Sequence, residues 1–103
     1  MPDKTWKKFE RRVAKAFGAV RNSLSGGNAK TTRSDVLHPE LFIECKYKTK
    51  SSLWTLWRDT KEKAKKEGKT PVLAIGEKGA KGWLVVVHVK DLQDLIRELS
   101  VIH

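Results

Sequence analysis

The sequence predicts a single α/β domain, a small central mixed β-sheet flanked by helices in the order α-β-β-β-α-β-β-α. Three observations predict it. Amphipathic helical repeats open and close the chain. Between them, apolar β-type runs are interrupted by one long helical stretch, the pattern of a strand–helix–strand crossover and hence of a parallel pair. And 103 residues, 39% of them hydrophobic, make one domain with a thin core.

Each element follows from local pattern. Trp6, Phe9, Val13, Ala16 and Phe17 form one apolar stripe, so residues 4–17 read as a helix. Asp3 or Thr5 caps it and Gly18 ends it. Ala19 to Arg21 is a short extended segment. Residues 23–32 are a polar loop in which Gly26 and Gly27 allow close backbone approach to a ligand. Ser34 to Leu37 reads as a brief strand, His38-Pro39-Glu40 as a turn, and Leu41 to Tyr47 as a strong strand. Ser51 or Ser52 caps a helix over 53–67 that Gly68 stops. Residues 72–75 and 83–89 are apolar on both faces, which predicts a sheet covered on both sides. A helix over 91–99 closes the chain, with Leu92, Leu95, Ile96 and Leu99 on one stripe.

Composition narrows the function. No apolar run approaches the ~20 residues of a membrane helix. The charged N-terminal stretch argues against a signal peptide. One cysteine, Cys45, excludes an intrachain disulfide and a cysteine-based zinc site. A cytoplasmic protein with no membrane partner is expected. Lys plus Arg number 22 against 12 Asp plus Glu, a net charge of +10. Residues 1–50 hold 12 basic and 5 acidic side chains, against 10 and 7 in residues 51–103. Such a balance points to a polyanionic partner, nucleic acid above all.

Where the few acids fall carries the chemistry. Asp35 lies on one strand of a hairpin. Strand alternation puts Phe42, Glu44, Lys46 and Lys48 on one face of the next strand, with Leu41, Ile43, Cys45 and Tyr47 on the other. The hairpin lets the carboxylates of Asp35 and Glu44 converge. Two hard oxygen ligands at a sheet edge suit Mg²⁺, and the backbone carbonyl of Cys45 adds a third. The Lys46 ammonium stands where it can hold a water beside the metal.

The pattern Ser34-Asp35 followed by Glu44-Cys45-Lys46 resembles the D…(D/E)-x-K signature of the PD-(D/E)XK nuclease superfamily. With Glu10 in the first helix, Arg21 after the first strand and the loop from Ser23 to Gly27, residues 6–48 are similar to archaeal-type Holliday junction resolvases and to small phage resolvases. The resemblance implies a restriction-endonuclease-like core and Mg²⁺-dependent cleavage of four-way DNA junctions by a homodimer, with Mn²⁺ able to substitute. It implies Asp35 and Glu44 as metal ligands, Glu10 as a further acid at the metal, and Lys46 as the group that orients water or stabilises charge. Arg21, Ser23 and Ser25 become phosphate or loop contacts. Ser34 stands where the motif has Pro, a position that shapes backbone and does no chemistry. Lys30, Arg33, Lys48, Arg58, Lys61 and Lys65 are expected to hold the DNA backbone.

Each assignment has a plainer counterpart. Asp35 alone reads as a turn residue, Glu44 and Lys46 as an ion pair on a solvated edge, and Glu10 as a helix surface acid paired with Lys7 or Arg11. The interior character of Phe42, Ile43 and Tyr47 favours the site reading for Glu44. Cys45 reads as a small core hydrophobe, His38 as a turn residue and His88 as a strand filler. Trp54 and Trp57 read as core or dimer packing. At the level of function the alternatives are a nicking, repair or restriction-like endonuclease on the same core, or a basic module that binds nucleic acid without cutting it.

Overall fold

The computed structural model describes residues 5–23, 32–47 and 50–100. Within them run helix α1 (Thr5–Ala16), strands β1 (Val20–Arg21), β2 (Val36–Leu37) and β3 (Leu41–Tyr47), helix α2 (Leu53–Glu67), strands β4 (Thr70–Gly76) and β5 (Leu84–Val86), a 3₁₀ turn at Val89–Asp91, and helix α3 (Leu92–Ser100). The five strands form one mixed sheet in chain order. β3 and β4 are parallel, joined through α2, and the other neighbours are antiparallel. The predicted α/β architecture is the observed one.

The β3–β4 register fixes the two faces. Ile43 opposes Val72 and Glu44 opposes Leu73. Leu41, Ile43, Val72 and Ala74 therefore share one face, which α1 covers with Phe9, Val13, Ala14 and Phe17, while Leu95 of α3 joins the same cluster. On the opposite face Leu73 packs under Leu56 and Trp57 of α2. α2 is well delimited. Ser52 Oγ accepts from Thr55 N, and Gly68 at φ 65° is the left-handed C-cap.

Phe9 shows how tightly α1 sits. A Cβ added at Gly76 would come within 2.6 Å of the Phe9 ring. Gly76→Ala is accordingly expected to destabilise the domain by about 1–3 kcal/mol, read as a lower melting temperature.

The structure refines the expectations in three places. The run 83–89 is not a doubly covered strand: only Leu84–Val86 is β, and Leu84 is 68% exposed, because β5 is the sheet edge and α2 does not reach over that residue. Among the described residues of α3 only Leu95 is buried; Leu99 is half-buried against the core, and Leu92 and Ile96 are exposed. Trp54 is exposed and Trp57 buried, so the pair divides between solvent and core. His38 does more than turn the chain. Its Nδ1 accepts from the N–H groups of Glu40 and Leu41, and its Nε2 lies 3.5 Å from Glu98 of α3. Burial lowers its pKa, as suits a ring whose Nδ1 must stay an acceptor.

Candidate active site

The site begins where β2 starts late. Asp35 N donates to Ile43 O at 3.0 Å, and the β2–β3 pairing is confined to Val36 against Ile43. Beyond Ile43 the outer edge of β3 has no strand on it among the described residues. The Asp35 carboxylate fills that gap: its Oδ2 accepts from Cys45 N at 2.8 Å. The N–H and C=O of one strand residue point to the same edge, so the Cys45 carbonyl is directed toward this side too.

The backbone before Asp35 is pinned. Asn22 Nδ2 donates to Ser34 O, Asn22 N donates to Asp35 O, and the buried Ser34 Oγ donates to Val36 O. A hydroxyl thus fixes the backbone locally at the residue before Asp35. Thr32 Oγ1 and Arg33 N both donate to the Glu67 carboxylate, at 2.5 and 2.9 Å, which fastens the approach to β2 onto the end of α2.

Glu44, 5% exposed, lies beside Asp35 on the α2 face. Burial, then the hydrogen bond and the negative charge of Asp35, push its pKa up to about 8. Two cations oppose this. Lys63 Nζ lies 3.3 Å from Glu44 Oε2 and 3.2 Å from Asp59 Oδ2, and Lys46 acts more weakly from two residues along β3. Burial works against the charge on Lys63, but Glu44 and Asp59 outweigh it and hold its pKa above the usual lysine range. Burial and Asp35 decide the sign at Glu44.

Glu10 approaches from α1. It is buried and accepts from Arg21 Nε at 2.6 Å. Burial raises its pKa despite Arg21, and the charge of Glu44 reaches it. The Arg21 guanidinium also stands 5.5 Å from the Trp6 ring. Trp6, Phe9, Glu10, Cys45, Lys46 and Tyr47 line a cleft of about 340 Å³ at the open end of β3. Trp6 itself is 41% exposed, a cleft wall more than part of the core. Burial and the three surrounding carboxylates raise the Cys45 thiol pKa, so it stays a thiol.

The residues named from sequence divide accordingly. Asp35 and Glu44 come together at one strand edge, while Lys46 and Glu10 line the neighbouring cleft, Lys46 near enough for its charge to reach Glu44. Arg21 is engaged with Glu10 through Nε. Ser23 is exposed beside the loop, and Arg33 is exposed with its backbone N–H held by Glu67. Arg58, Lys61 and Lys65 are exposed on α2. Ser25, Lys30 and Lys48 lie outside the described residues, as do Gly26 and Gly27. Sequence reasoning missed Lys63 and Glu67. The only sequence signal for Lys63 was its i,i+4 spacing from Asp59.

No group of three or more His, Cys, Asp or Glu residues among those described is arranged to hold a metal ion. The donor set is smaller: the carboxylates of Asp35 and Glu44 with the Cys45 carbonyl. It fits a hard divalent cation that draws its remaining ligands from water and phosphate. Burial first, and the neighbouring Asp35 second, raise the Glu44 pKa beyond what Lys63 and Lys46 offset. Among the described residues no helix is long and apolar enough to cross a membrane. No protein-family model matches the chain, and neither a curated protein nor a solved structure matches it.

Proposed function

We propose that the chain is a divalent-metal-dependent endonuclease of the PD-(D/E)XK type, acting on branched DNA and specifically on four-way junctions. One observation carries the reading: the Asp35 carboxylate, held by the Cys45 N–H, meets the buried Glu44 at the open edge of β3, with Lys46 two residues on. Asp35, Glu44 and the Cys45 carbonyl would hold Mg²⁺ or Mn²⁺. When bound, the metal supplies positive charge against the scissile phosphate and makes water more acidic.

The chain's own groups do the rest. Lys46 donates a hydrogen bond to the attacking water, orients it in line with the P–O bond to be broken, and offsets charge building on the phosphate. Asp35 cannot rotate away because its Oδ2 is tied to backbone. Glu10 keeps Arg21 at the mouth of the cleft. The remaining guanidinium N–H groups of Arg21 face a flanking phosphate. Arg33, Arg58, Lys61 and Lys65 add charge along the backbone path, which positions a branched substrate and reads no bases. A four-way junction has near-twofold symmetry, so an isologous homodimer would offer one site to each of two opposed strands.

The test is a synthetic four-way junction incubated with the protein in Mg²⁺, in Mn²⁺ and in EDTA. Cleavage in either metal and none in EDTA is expected, with linear duplex cut far more slowly. Equal cutting of linear duplex would remove the junction specificity and leave a restriction-like or repair nuclease. Binding with no cleavage in either metal would favour a non-catalytic module. The ion pairs Glu10–Arg21 and Glu44–Lys63, which join each buried acid to a protein cation, are what speaks for that alternative.

A further inference from the structure

A second cationic feature lies away from the carboxylates. Lys63 and Glu67 turn toward β3 and the Thr32–Arg33 segment. Lys61 and Lys65, rotated by about 200° from Lys63 and Glu67 respectively on the helix, border a different cleft. Its volume is about 360 Å³, and it is lined by Trp57, Lys61, Lys65, Lys69, Lys90 and Asp91, among others. β4 starts at one wall and the 3₁₀ turn forms another. Four lysines thus meet one aspartate around a buried indole. Among the described residues no acid lies within ion-pair distance of Lys61, Lys65 or Lys90, and Lys69 reaches Glu67 only at 3.8 Å.

We propose that this cleft is a binding site for the phosphate backbone of a nucleic acid, engaging a stretch of strand separate from the one at Asp35 and Glu44. The inference rests on the nucleic-acid part of the function proposed above, but not on cleavage. Lysines converging from two elements of the fold, α2 with its C-terminal end and the 3₁₀ turn, concentrate positive charge in a concave space. A concave wall of low polarisability strengthens the field there. Asp91 is the one carboxylate in the lining and no amide side chain joins it, too sparse a pattern to read a run of bases. Lys61 and Lys65 are one helical turn apart, about 6 Å, against roughly 3.4 Å of axial rise per phosphate of one strand. Phosphates of one strand are separated around the axis as well as along it, so successive lysines are spaced for neighbouring phosphates. The cleft lies on the flank of α2 opposite to the one that Lys63 turns toward Glu44, so the stretch of backbone held here is not the one presented to Lys46. An extended footprint of this kind suits a branched or bent substrate better than a short linear one.

The experiment is lysine acetylation footprinting of the wild-type protein by mass spectrometry, in EDTA, with a four-way junction, with inorganic phosphate alone, and with neither. Lys61, Lys65, Lys69 and Lys90 are expected to be protected by DNA. Lys8 and Lys15, exposed on α1 across the sheet, serve as the reference. Protection no greater than theirs would overturn the proposal. Equal protection by millimolar phosphate alone would make the cleft a free-phosphate site and overturn the assignment to nucleic acid. As a second measurement, the pair Lys61→Gln/Lys90→Gln should lower the slope of log K against log salt by about 2, and Lys8→Gln/Lys15→Gln should leave it nearly unchanged; the reverse order would count against the cleft. Protection without metal-dependent cleavage would keep the cleft and sink the nuclease. Cleavage without protection would do the opposite.

Discussion

Asp35→Asn is expected to reduce junction cleavage at least about a hundredfold while leaving the protein folded and its DNA affinity intact. The amide oxygen of Asn can still accept the Cys45 N–H that Oδ2 accepts at 2.8 Å, so the edge of β3 keeps its geometry. What disappears is the charge that a divalent cation needs. Removing an anion from a chain of net charge +10 does not weaken its attraction to phosphate and slightly strengthens it. The hydrogen bond and charge by which Asp35 raises the Glu44 pKa go as well, so Glu44 should titrate lower in this variant. Cleavage rates at saturating Mg²⁺, with anisotropy of labelled junction in EDTA, separate the two effects. A rate within about threefold of wild type, far short of the loss expected for a metal ligand, would remove Asp35 from the site. Lys46→Ala should likewise lose cleavage with only a mild loss of binding.

Much of this arrangement was legible in the sequence because local signals and the fold agree. The run LFIECKY, bounded by His38-Pro39 and a polar stretch, gives β3 with both its limits. Ser52 and Gly68 bracket α2 at the ends that capping rules demand. Once β2 and β3 form a hairpin, alternation alone places Asp35 against the Glu44 side of β3.

What was not legible depends on long-range placement. Lys63 stands in a lysine-rich run whose members look alike until the crossover sets which flank of α2 faces β3. The apolar run 83–89 and the α3 stripe carry a core-like pattern. Whether a second layer covers them is decided by how far α1 and α2 extend, and Leu84, Leu92 and Ile96 are left exposed. Trp6 begins a well-formed stripe, but it lines the cleft at the open end of β3 and stays exposed. Arg21, proposed above to face a phosphate, has a second partner. It is tied to Glu10, a contact between residues eleven apart that no periodicity encodes.

Glu44→Gln is expected to stabilise the metal-free protein at alkaline pH even as it abolishes cleavage. In the unfolded chain the carboxyl ionises near its ordinary value of 4.5, but in the fold the pKa is about 8. Between these values the folded state holds a proton that the unfolded state has released. The preference of the fold for the neutral acid is therefore fully present below pH 4.5 and is lost as pH rises through 8. Above that, the fold must bury a carboxylate beside Asp35 with only Lys63 and Lys46 in compensation. Glutamine has no such charge, still offers an oxygen to Lys63, and can donate to Asp35. In EDTA at about pH 9 the variant should be more stable by at least about 1 kcal/mol, or melt roughly 4–8 °C higher for a domain of this size. The difference should vanish near about pH 4, where both side chains are neutral. Added Mg²⁺ should raise the wild type toward or past the variant, because an ion bound only by the fold stabilises it by mass action and the substituted amide supplies no charge to hold it. A variant that melts below wild type at alkaline pH without metal would mean that Glu44 is a structural partner of Lys63. An acid that costs stability until a cation arrives is what a binding site retains and a packing role discards.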